Sequence, residues 1–363
     1  MRATLPTQSS MRPTRVPTWL RELPPSGPSL RPVARMAGRI QDLLRVHRAT
    51  LRVRDYGTAA LNPPAAPTEV VPVTAPDGAA LRVHSYGPAD GDVIVLVHGW
   101  TCCIEYWNPQ INAFAGDYRV VAYDQRGHGE TELGDSPLTT DLLADDLAAV
   151  LAATLRPGQR AVLVGHSLGG MTIQAWAGRH PEQVAQRAAA VLLTNTSPGD
   201  LVAETTVLPV FNRGLVSLPF AVGRFLLGTA VVFPPVAPVK WIFRRQVMSL
   251  ATTGDVADYA LSIVRSCPAV VRAKFGLLLA DLALGRSAER LTVPTTLLAG
   301  EFDDLTPVVH AERIAEMLRA AGSLERFEIL PTGHLGNVEA YEAFNEVLAR
   351  VLSSTYVARE ASA

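Results

Sequence analysis

Hydrophobic and polar positions alternate along residues 69–352 in the manner of strands followed by helices. Uncharged runs of Val, Leu, Ile and Ala predict strands buried on both faces, and the first two strands form a hairpin. The predicted strands are 69–75, 80–87, 92–99, 118–124, 160–167, 188–195, 295–303 and 325–331. This α/β pattern predicts a mostly parallel central sheet with helices on both faces and ligands at the carboxyl ends of the strands.

Apolar residues at helical spacing predict the helices that connect these strands, at 139–155, 168–179, 308–321 and 338–352. The alternation stops over 198–290, which separates a first part of the core at 69–197 from a second part at 291–355. Residues 356–363 are predicted to be a short tail. The long apolar stretch at 215–239 contains Arg224 and four prolines, so no transmembrane helix is predicted there.

The N-terminal region is strongly basic, because residues 1–54 contain eleven arginines and only two acids. Residues 1–35, rich in Pro, Ser and Thr, are predicted to be a disordered basic arm, with Met36 as an alternative start. Residues 36–60 are predicted to be an amphipathic helix and a linker. The apolar face of the helix comprises Ile40, Leu43, Leu44, His47 and Leu51. Residues 36–54 either contact an anionic membrane surface or pack on the domain with a solvated basic face.

Charge and cysteine content exclude several classes of function. The chain has 33 basic and 34 acidic residues, so its net charge of −1 predicts no nucleic-acid partner. Cys102, Cys103 and Cys267 show no spacing typical of disulfide frameworks or zinc sites, and no metal is predicted. Reduced thiols and the lack of a secretory signal predict a cytoplasmic protein, peripheral to the membrane if the N-terminal helix binds lipid.

The predicted strand at 160–167 runs directly into "GHSLGG" (165–170) and then into a helix. A sharp strand-to-helix turn strains the residue at its apex and projects that side chain out of the sheet. Ser167 lies at this apex. We therefore predict that Ser167 is a nucleophile rather than a turn serine, the alternative that an isolated G-x-S-x-G pattern leaves open.

A serine hydroxyl requires a base, and two later strand ends supply candidates. Asp303 and His334 each follow a late strand, and the 31 residues between them fit one helix and one strand. Asp304 and Asp200 are the alternative acids. The backbone N–H groups of Leu168 and Trp100 are candidate donors to an oxyanion, because each follows a strand end beside Ser167.

Five motifs occur in a characteristic order: His98-Gly99, "DQRGHG" (124–129), "GHSLGG", Gly300/Asp303/Thr306-Pro307 and Gly333-His334. Over residues 69–352 the chain resembles the α/β-hydrolase superfamily. The resemblance implies Ser167 as nucleophile, His334 as general base and then acid, and Asp303 as the group that orients His334. It also implies that 198–290 is a helical lid inserted before the last two strands.

The expected reaction is acyl transfer to Ser167 followed by hydrolysis, without metal or organic cofactor. The substrate is expected to be a small carboxylic ester with an apolar acyl or alkyl part, as for a carboxylesterase or lipase. The low charge of 198–290 indicates either an apolar pocket or lipid-facing surface, or helices that are simply buried. Candidate pocket residues are Trp100, Trp107, His166, Phe211, Phe220 and Phe225.

Several alternatives remain open at this stage. Serine rather than aspartate at the turn disfavours the chemistry of epoxide hydrolases and haloalkane dehalogenases. The same three residues also serve thioesterases, amidases, C–C bond hydrolases and cofactor-free haloperoxidases or perhydrolases. A ligand receptor built on the same fold is the non-enzymatic alternative.

Overall fold

The computed structural model describes residues 30–207, 217–230 and 236–357. The described residues fall into two compact units, one up to Arg45 and one from Val46 onward. Helix α1 (Leu30–Leu51) begins six residues before the predicted position, inside the predicted arm. Pro32 lies in its first turn, where a missing N–H costs no helical hydrogen bond, and this allows the earlier start.

A single sheet is formed by eight strands of the described ranges, and each predicted strand is confirmed. Their bounds are β1 (Thr68–Thr74), β2 (Ala80–Tyr86), β3 (Val93–Val97), β4 (Arg119–Tyr123), β5 (Ala161–His166), β6 (Ala188–Thr194), β7 (Thr295–Gly300) and β8 (Leu324–Leu330). The strand order is β1-β2-β4-β3-β5-β6-β7-β8. β2 pairs antiparallel with β1 and β4, and all other neighbours are parallel.

Helices occupy both faces of this sheet. Their bounds are α2 (Asn108–Phe114), α3 (Thr140–Thr154), α4 (Leu168–Arg179), α5 (Pro181–Arg187), α6 (Leu201–Glu204), α7 (Phe220–Leu227), α8 (Ala237–Val247), α9 (Gly254–Arg265), α10 (Ala269–Ala280), α11 (Val308–Ala321), α12 (Gly336–Glu339) and α13 (Tyr341–Leu352). Shorter helical turns occur at Ala59–Leu61, Ile104–Trp107, Ser287–Arg290 and Ser353–Val357. The predicted helix at 338–352 is interrupted, so that α12 and α13 are separate elements.

Alternate residues of the parallel strands supply two separate cores. In β3, Val93, Val95 and Val97 belong to the same core as residues of α3, α4 and α11, whereas Ile94 and Leu96 belong to the core that contains residues of α2, α9 and α13. All five residues of β3 are fully buried. Burial on both faces explains why this strand is an uninterrupted apolar run in the sequence.

The described part of 198–290 contains five helices, α6 to α10. Their position in the chain, between β6 and β7, agrees with the predicted insertion. Their role as a lid stays a prediction. No helix among the described residues is both long enough and apolar enough to cross a membrane.

The predicted tail is in part a packed element. Tyr356 is buried, and its hydroxyl donates to the carbonyl of Val93 at 2.8 Å and accepts from the N–H of Val162 at 3.1 Å. The boundary predicted at 356 is therefore too early, because the side chain that follows α13 completes hydrogen bonds of β3 and β5.

All three cysteines are free and buried. Burial raises the pKa of each thiol, to about 12 for Cys267. Protonated, buried thiols agree with a structural rather than a reactive role for these residues.

Two histidines join the loops that follow β3 and β4. His98 in the first loop accepts the N–H of Gln125 at 3.0 Å, and His128 in the second loop accepts the N–H of Thr101 at 3.0 Å. In each ring Nδ1 donates to a nearby backbone carbonyl. Each imidazole is therefore neutral and of fixed tautomer, and the two loops hold each other in place.

We expect the free energy of unfolding to fall as the pH drops below about 6.5, the ordinary histidine value. Burial, reinforced by His98, lowers the pKa of His128 to about 3 in the folded state. Between these values the unfolded chain binds a proton that the folded chain does not, so stability is present above about 6.5 and lost towards pH 3. The loss is on the order of 1 kcal/mol per pH unit for each such histidine.

Thermal unfolding between pH 7.5 and 5 measures this effect. Burial raises the pKa of Asp146 to about 6, so this one carboxyl contributes a change in stability of the opposite sign over the same pH range. His128→Gln retains an acceptor but does not titrate, so its melting temperature is expected to depend less steeply on pH. A wild-type melting temperature that stays constant over this range would contradict the prediction.

Candidate active site

Ser167 lies at the turn between β5 and α4. Its backbone has φ 52° and ψ −118°, a conformation that non-glycine residues rarely adopt. The backbone N–H of Ser167 donates to the carbonyl of Thr194 at 3.0 Å, and the carbonyl of Ser167 accepts from the hydroxyl of Thr196 at 2.8 Å. Contacts with the end of β6 and with the residues after it therefore support the strained residue on both sides.

Two glycines allow other backbone segments to approach this turn. A Cβ on Gly169 would lie 1.9 Å from the carbonyl oxygen of Val97, at the end of β3. A Cβ on Gly99 would lie 2.7 Å from Nδ1 of His166 and 3.1 Å from Cβ of Ser167. The loop that follows β3 thus lies directly against the serine.

The structure brings the three predicted catalytic side chains together. Nε2 of His334 lies 2.9 Å from Oγ of Ser167, and Nδ1 of His334 lies 2.8 Å from Oδ2 of Asp303. Because the carboxylate accepts from Nδ1–H, Nε2 presents a lone pair to the serine hydroxyl. A nucleophile, a base and a group that orients the base are thereby in hydrogen-bond contact.

Asp303 is enclosed by hydrogen-bond donors. Besides His334, Oδ2 accepts from the amide of Asn195 at 2.9 Å and from the hydroxyl of Thr306 at 2.7 Å. Oδ1 accepts from the N–H groups of Leu305 and Thr306, both at 2.9 Å. Burial alone would raise the pKa of this carboxyl, but His334 and the surrounding donors outweigh burial and hold the pKa below its usual value.

Asn195 is a residue of the site that sequence reasoning does not identify. It directly follows β6 with φ 47°, and its amide also donates to the carbonyl of Gly333, next to His334. The sequence feature that could have identified Asn195 is its position, as a polar residue directly after a buried strand. Thr306 was visible only as part of a motif, without a role.

The alternative acids do not reach His334. Asp200 is largely exposed and forms an ion pair with Arg313 at 3.7 Å. The backbone carbonyl of Asp304 accepts from the N–H of Thr206 at 2.8 Å, and its side chain bonds the hydroxyl of the same threonine. Asp304 thus holds the segment that follows α6.

The two predicted oxyanion donors follow Ser167 and Gly99 in the chain, and their role stays a prediction. Leu168 is the first residue of α4, where backbone N–H groups have no partner within the helix. Trp100 follows Gly99, and the next residue, Thr101, has φ 66°. The indole N–H of Trp100 donates to the carbonyl of Arg272 in α10 at 3.2 Å, so this loop is attached to the inserted helices.

Three other predicted pocket residues lie elsewhere, in the core or on the surface. Trp107 is fully buried against two aromatic rings of the core. Phe220 and Phe225 are exposed on α7, beside a shallow recess whose lining does not include Ser167. Phe211 lies outside the described residues.

His166 is a buried support rather than a pocket wall. Its side chain is 1% exposed, and Nε2 donates to the backbone carbonyl of His334 at 2.8 Å. Burial, with a contribution from His334, lowers the pKa of His166 to about 3. The ring therefore stays neutral and holds the backbone of His334 through this hydrogen bond. The predicted place of His166 in the substrate pocket does not fit this geometry.

Solvent reaches the serine and the base only slightly in this conformation. Ser167 and His334 are 7% and 6% exposed. A cleft of about 670 Å³ opens beside Asp303, and its lining includes neither of them. The cleft separates residues 245–251 of the inserted segment from residues 301–308 of the core.

Known proteins resemble this chain over most of its length. It is 28% identical over 271 residues to a non-heme chloroperoxidase from Streptomyces lividans, which is 72% of this chain and 93% of that protein. It is 26% identical over 277 residues to 3-oxoadipate enol-lactonase 2 from Acinetobacter baylyi, which is 75% of this chain and 93% of that protein.

Similarity also extends to solved structures. A thermophilic esterase from Thermogutta terrifontis matches with a TM-score of 0.62 at 22% identity, covering 80% of this chain and 100% of that chain. Such a likeness shows that the fold is shared, an α/β-hydrolase fold with a mostly parallel sheet.

The model of the alpha/beta hydrolase family matches residues 94–347, more than half of the chain. This range runs from β3 to α13 and contains Ser167, Asp303 and His334. Sequence and fold therefore agree that this chain belongs to the alpha/beta hydrolase family.

Proposed function

We propose that the protein is a serine hydrolase that cleaves carboxylic esters with an apolar acyl or alkyl part, through an acyl-enzyme on Ser167. The observation that carries the proposal is the continuous contact from Ser167 through His334 to Asp303, at 2.9 Å and 2.8 Å. These distances lie within the range in which a base can take the proton of a nucleophile.

The reaction proceeds in two halves. Oγ of Ser167 attacks the ester carbonyl carbon while its proton passes to Nε2 of His334, and Asp303 stabilises the resulting imidazolium. The N–H groups of Leu168 and Trp100 stabilise the oxyanion. His334 then protonates the departing alkoxide. In the second half a water molecule, deprotonated by His334, releases the acid and restores Ser167.

The apolar character of the substrate is supported by the inserted segment. Large apolar side chains are exposed on α7, on α8 and in the turn after α8, among them Phe220, Phe225, Trp241, Ile242 and Leu250. A chloroperoxidase and an enol-lactonase are among the relatives, so perhydrolysis and lactone hydrolysis are the competing reactions for the same three residues.

A contact with anionic lipid is a second proposal, supported by α1. Ile40, Leu43 and Val46 lie on one face of this helix and are more than half exposed. Arg39 and Arg45 are exposed on the same stretch. Basic amphipathic helices bind anionic membrane surfaces through apolar insertion and charge attraction together. The cytoplasmic location expected from the cysteines stays a prediction.

A fluorophosphonate probe tests the nucleophile. We expect covalent labelling at Ser167, no labelling of Ser167→Ala, and an unchanged labelling rate in Ser354→Ala, an exposed serine. Ester turnover by Ser167→Ala is expected to fall by about 10⁶-fold, because acyl transfer loses its nucleophile. Equal labelling of wild type and Ser167→Ala, or no labelling of either, would favour a ligand receptor.

A chain-length series of p-nitrophenyl esters tests the substrate class. If the acyl chain enters an apolar pocket, kcat/KM is expected to rise about fourfold for each added methylene until the pocket is filled. Acyl-CoAs and peracid formation are measured in parallel, with Ser167→Ala as the blank. A preference for acetate, or faster cleavage of thioesters than of esters, would contradict the proposal.

Co-sedimentation with vesicles tests the membrane contact. The full chain is expected to bind vesicles rich in phosphatidylserine more tightly than phosphatidylcholine vesicles. Leu43→Glu places a charge on the apolar face and is expected to weaken binding. Gln41→Glu makes the same charge change on the opposite face and serves as the control. Equal binding by both variants at the wild-type level would remove α1 from the interaction.

A further inference from the structure

The loop that carries His334 lies against the inserted segment. The backbone N–H of His334 donates to the carbonyl of Val247, at the end of α8, at 2.8 Å. A Cβ on Gly333 would lie 2.6 Å from the backbone of Met248. The position of the base is therefore coupled to the connection between α8 and α9.

The carboxylate of Glu339, at the end of α12, is shared between these two segments. On the side of the base, it accepts from the N–H of Gly333 at 3.1 Å and from the N–H of Leu335 at 3.0 Å. On the side of the insertion, it accepts from the N–H of Ser249 at 2.7 Å and from the hydroxyl of Thr252 at 2.9 Å. The first two donors precede and follow His334 in the chain.

This arrangement requires a carboxylate. Oε2 accepts from Gly333, Ser249 and Thr252, and Oε1 accepts from Leu335. Both oxygens thus face donors, and an ionised carboxylate is the side-chain group that accepts at both atoms. An amide would set its own N–H₂ group against at least one of these donors, leaving it without an acceptor.

We propose that Glu339 is a positioning residue for His334, and that it ties the loop of the base to residues 249–252. In this arrangement Nε2 is held in line with Oγ of Ser167 while the connection between α8 and α9 is in place. The inference rests on the proposed function, because it takes His334 as the base for Ser167. A displacement of a reacting group by about 1 Å can lower a rate by about 100-fold.

The test is the second-order rate constant of Ser167 labelling by a fluorophosphonate, measured well below the melting temperature of every variant. This rate depends on the base and needs no knowledge of the natural substrate. Glu339→Gln is expected to lower it by about 100-fold at every pH on the plateau of the wild-type profile. Glu342→Gln makes the same change at an exposed glutamate in the first turn of α13 and is expected to label at the wild-type rate.

Two further variants separate the halves of the proposal. Thr252→Val removes one donor of the inserted segment and leaves the loop of the base unchanged, so a smaller fall is expected, with recovery in Thr252→Ser. Glu339→Asp keeps the charge on a shorter side chain and is expected to be intermediate. It replaces Glu339→Gln in the comparison if the latter does not fold.

The outcomes are distinct. A wild-type labelling rate in folded Glu339→Gln, or in Glu339→Asp if only that variant folds, would overturn the positioning role, whatever the change in melting temperature. A wild-type rate in Thr252→Val would overturn the tie to residues 249–252. Failure of the wild-type protein to label would instead remove the proposed function itself.

Discussion

The strained backbone of Ser167 is the constraint on which the rest of the site depends. A residue with φ 52° persists only where the surrounding structure leaves no alternative. Here the surrounding structure consists of the ends of β3 and β6, the two strands that neighbour β5. The turn lies so close to the end of β3 that position 169 has no room for a side chain. The strain projects Oγ away from the sheet, towards the loop that carries His334.

Burial has opposite electrostatic consequences on the two sides of this serine. The buried histidines His98, His128 and His166 stay neutral. The rings of His98 and His128 are each fixed by one donor and one acceptor, and the ring of His166 is closed off from solvent. Asp303 is equally buried but remains charged, because several donors and His334 face its two oxygens. Because the neighbouring buried histidines are neutral, the negative charge of Asp303 acts on His334 without a competing charge from them.

The sequence predicts most of the fold, because the parallel strands are buried on both faces and so form uninterrupted apolar runs. Two helices, α2 and α5, had no usable signal, since each spans seven residues, too few to establish a helical period. The alignment of Ser167, Asp303 and His334 was also predictable, because each follows a strand whose carboxyl end lies at the same edge of the sheet.

Residues that act through long-range contacts were less accessible to sequence reasoning. Asn195 bonds Asp303 across 108 positions of the sequence, and Glu339 bonds Ser249 across 90 positions. Local hydrophobic periodicity carries no information about contacts at such sequence separations. His166 was misplaced for a related reason. Its neighbourhood with Ser167 in the chain suggests the pocket, whereas successive side chains of a strand point to opposite faces.

The hydroxyl of Tyr356 has a consequence for how the chain is made. It bonds to Val93 in β3 and to Val162 in β5, which leave the ribosome 263 and 194 residues earlier. The centre of the sheet therefore acquires these bonds only after the segment that follows α13 has been synthesised. Until then β3 and β5 must pair without this support, which comes from a segment made after all eight strands of the described sheet.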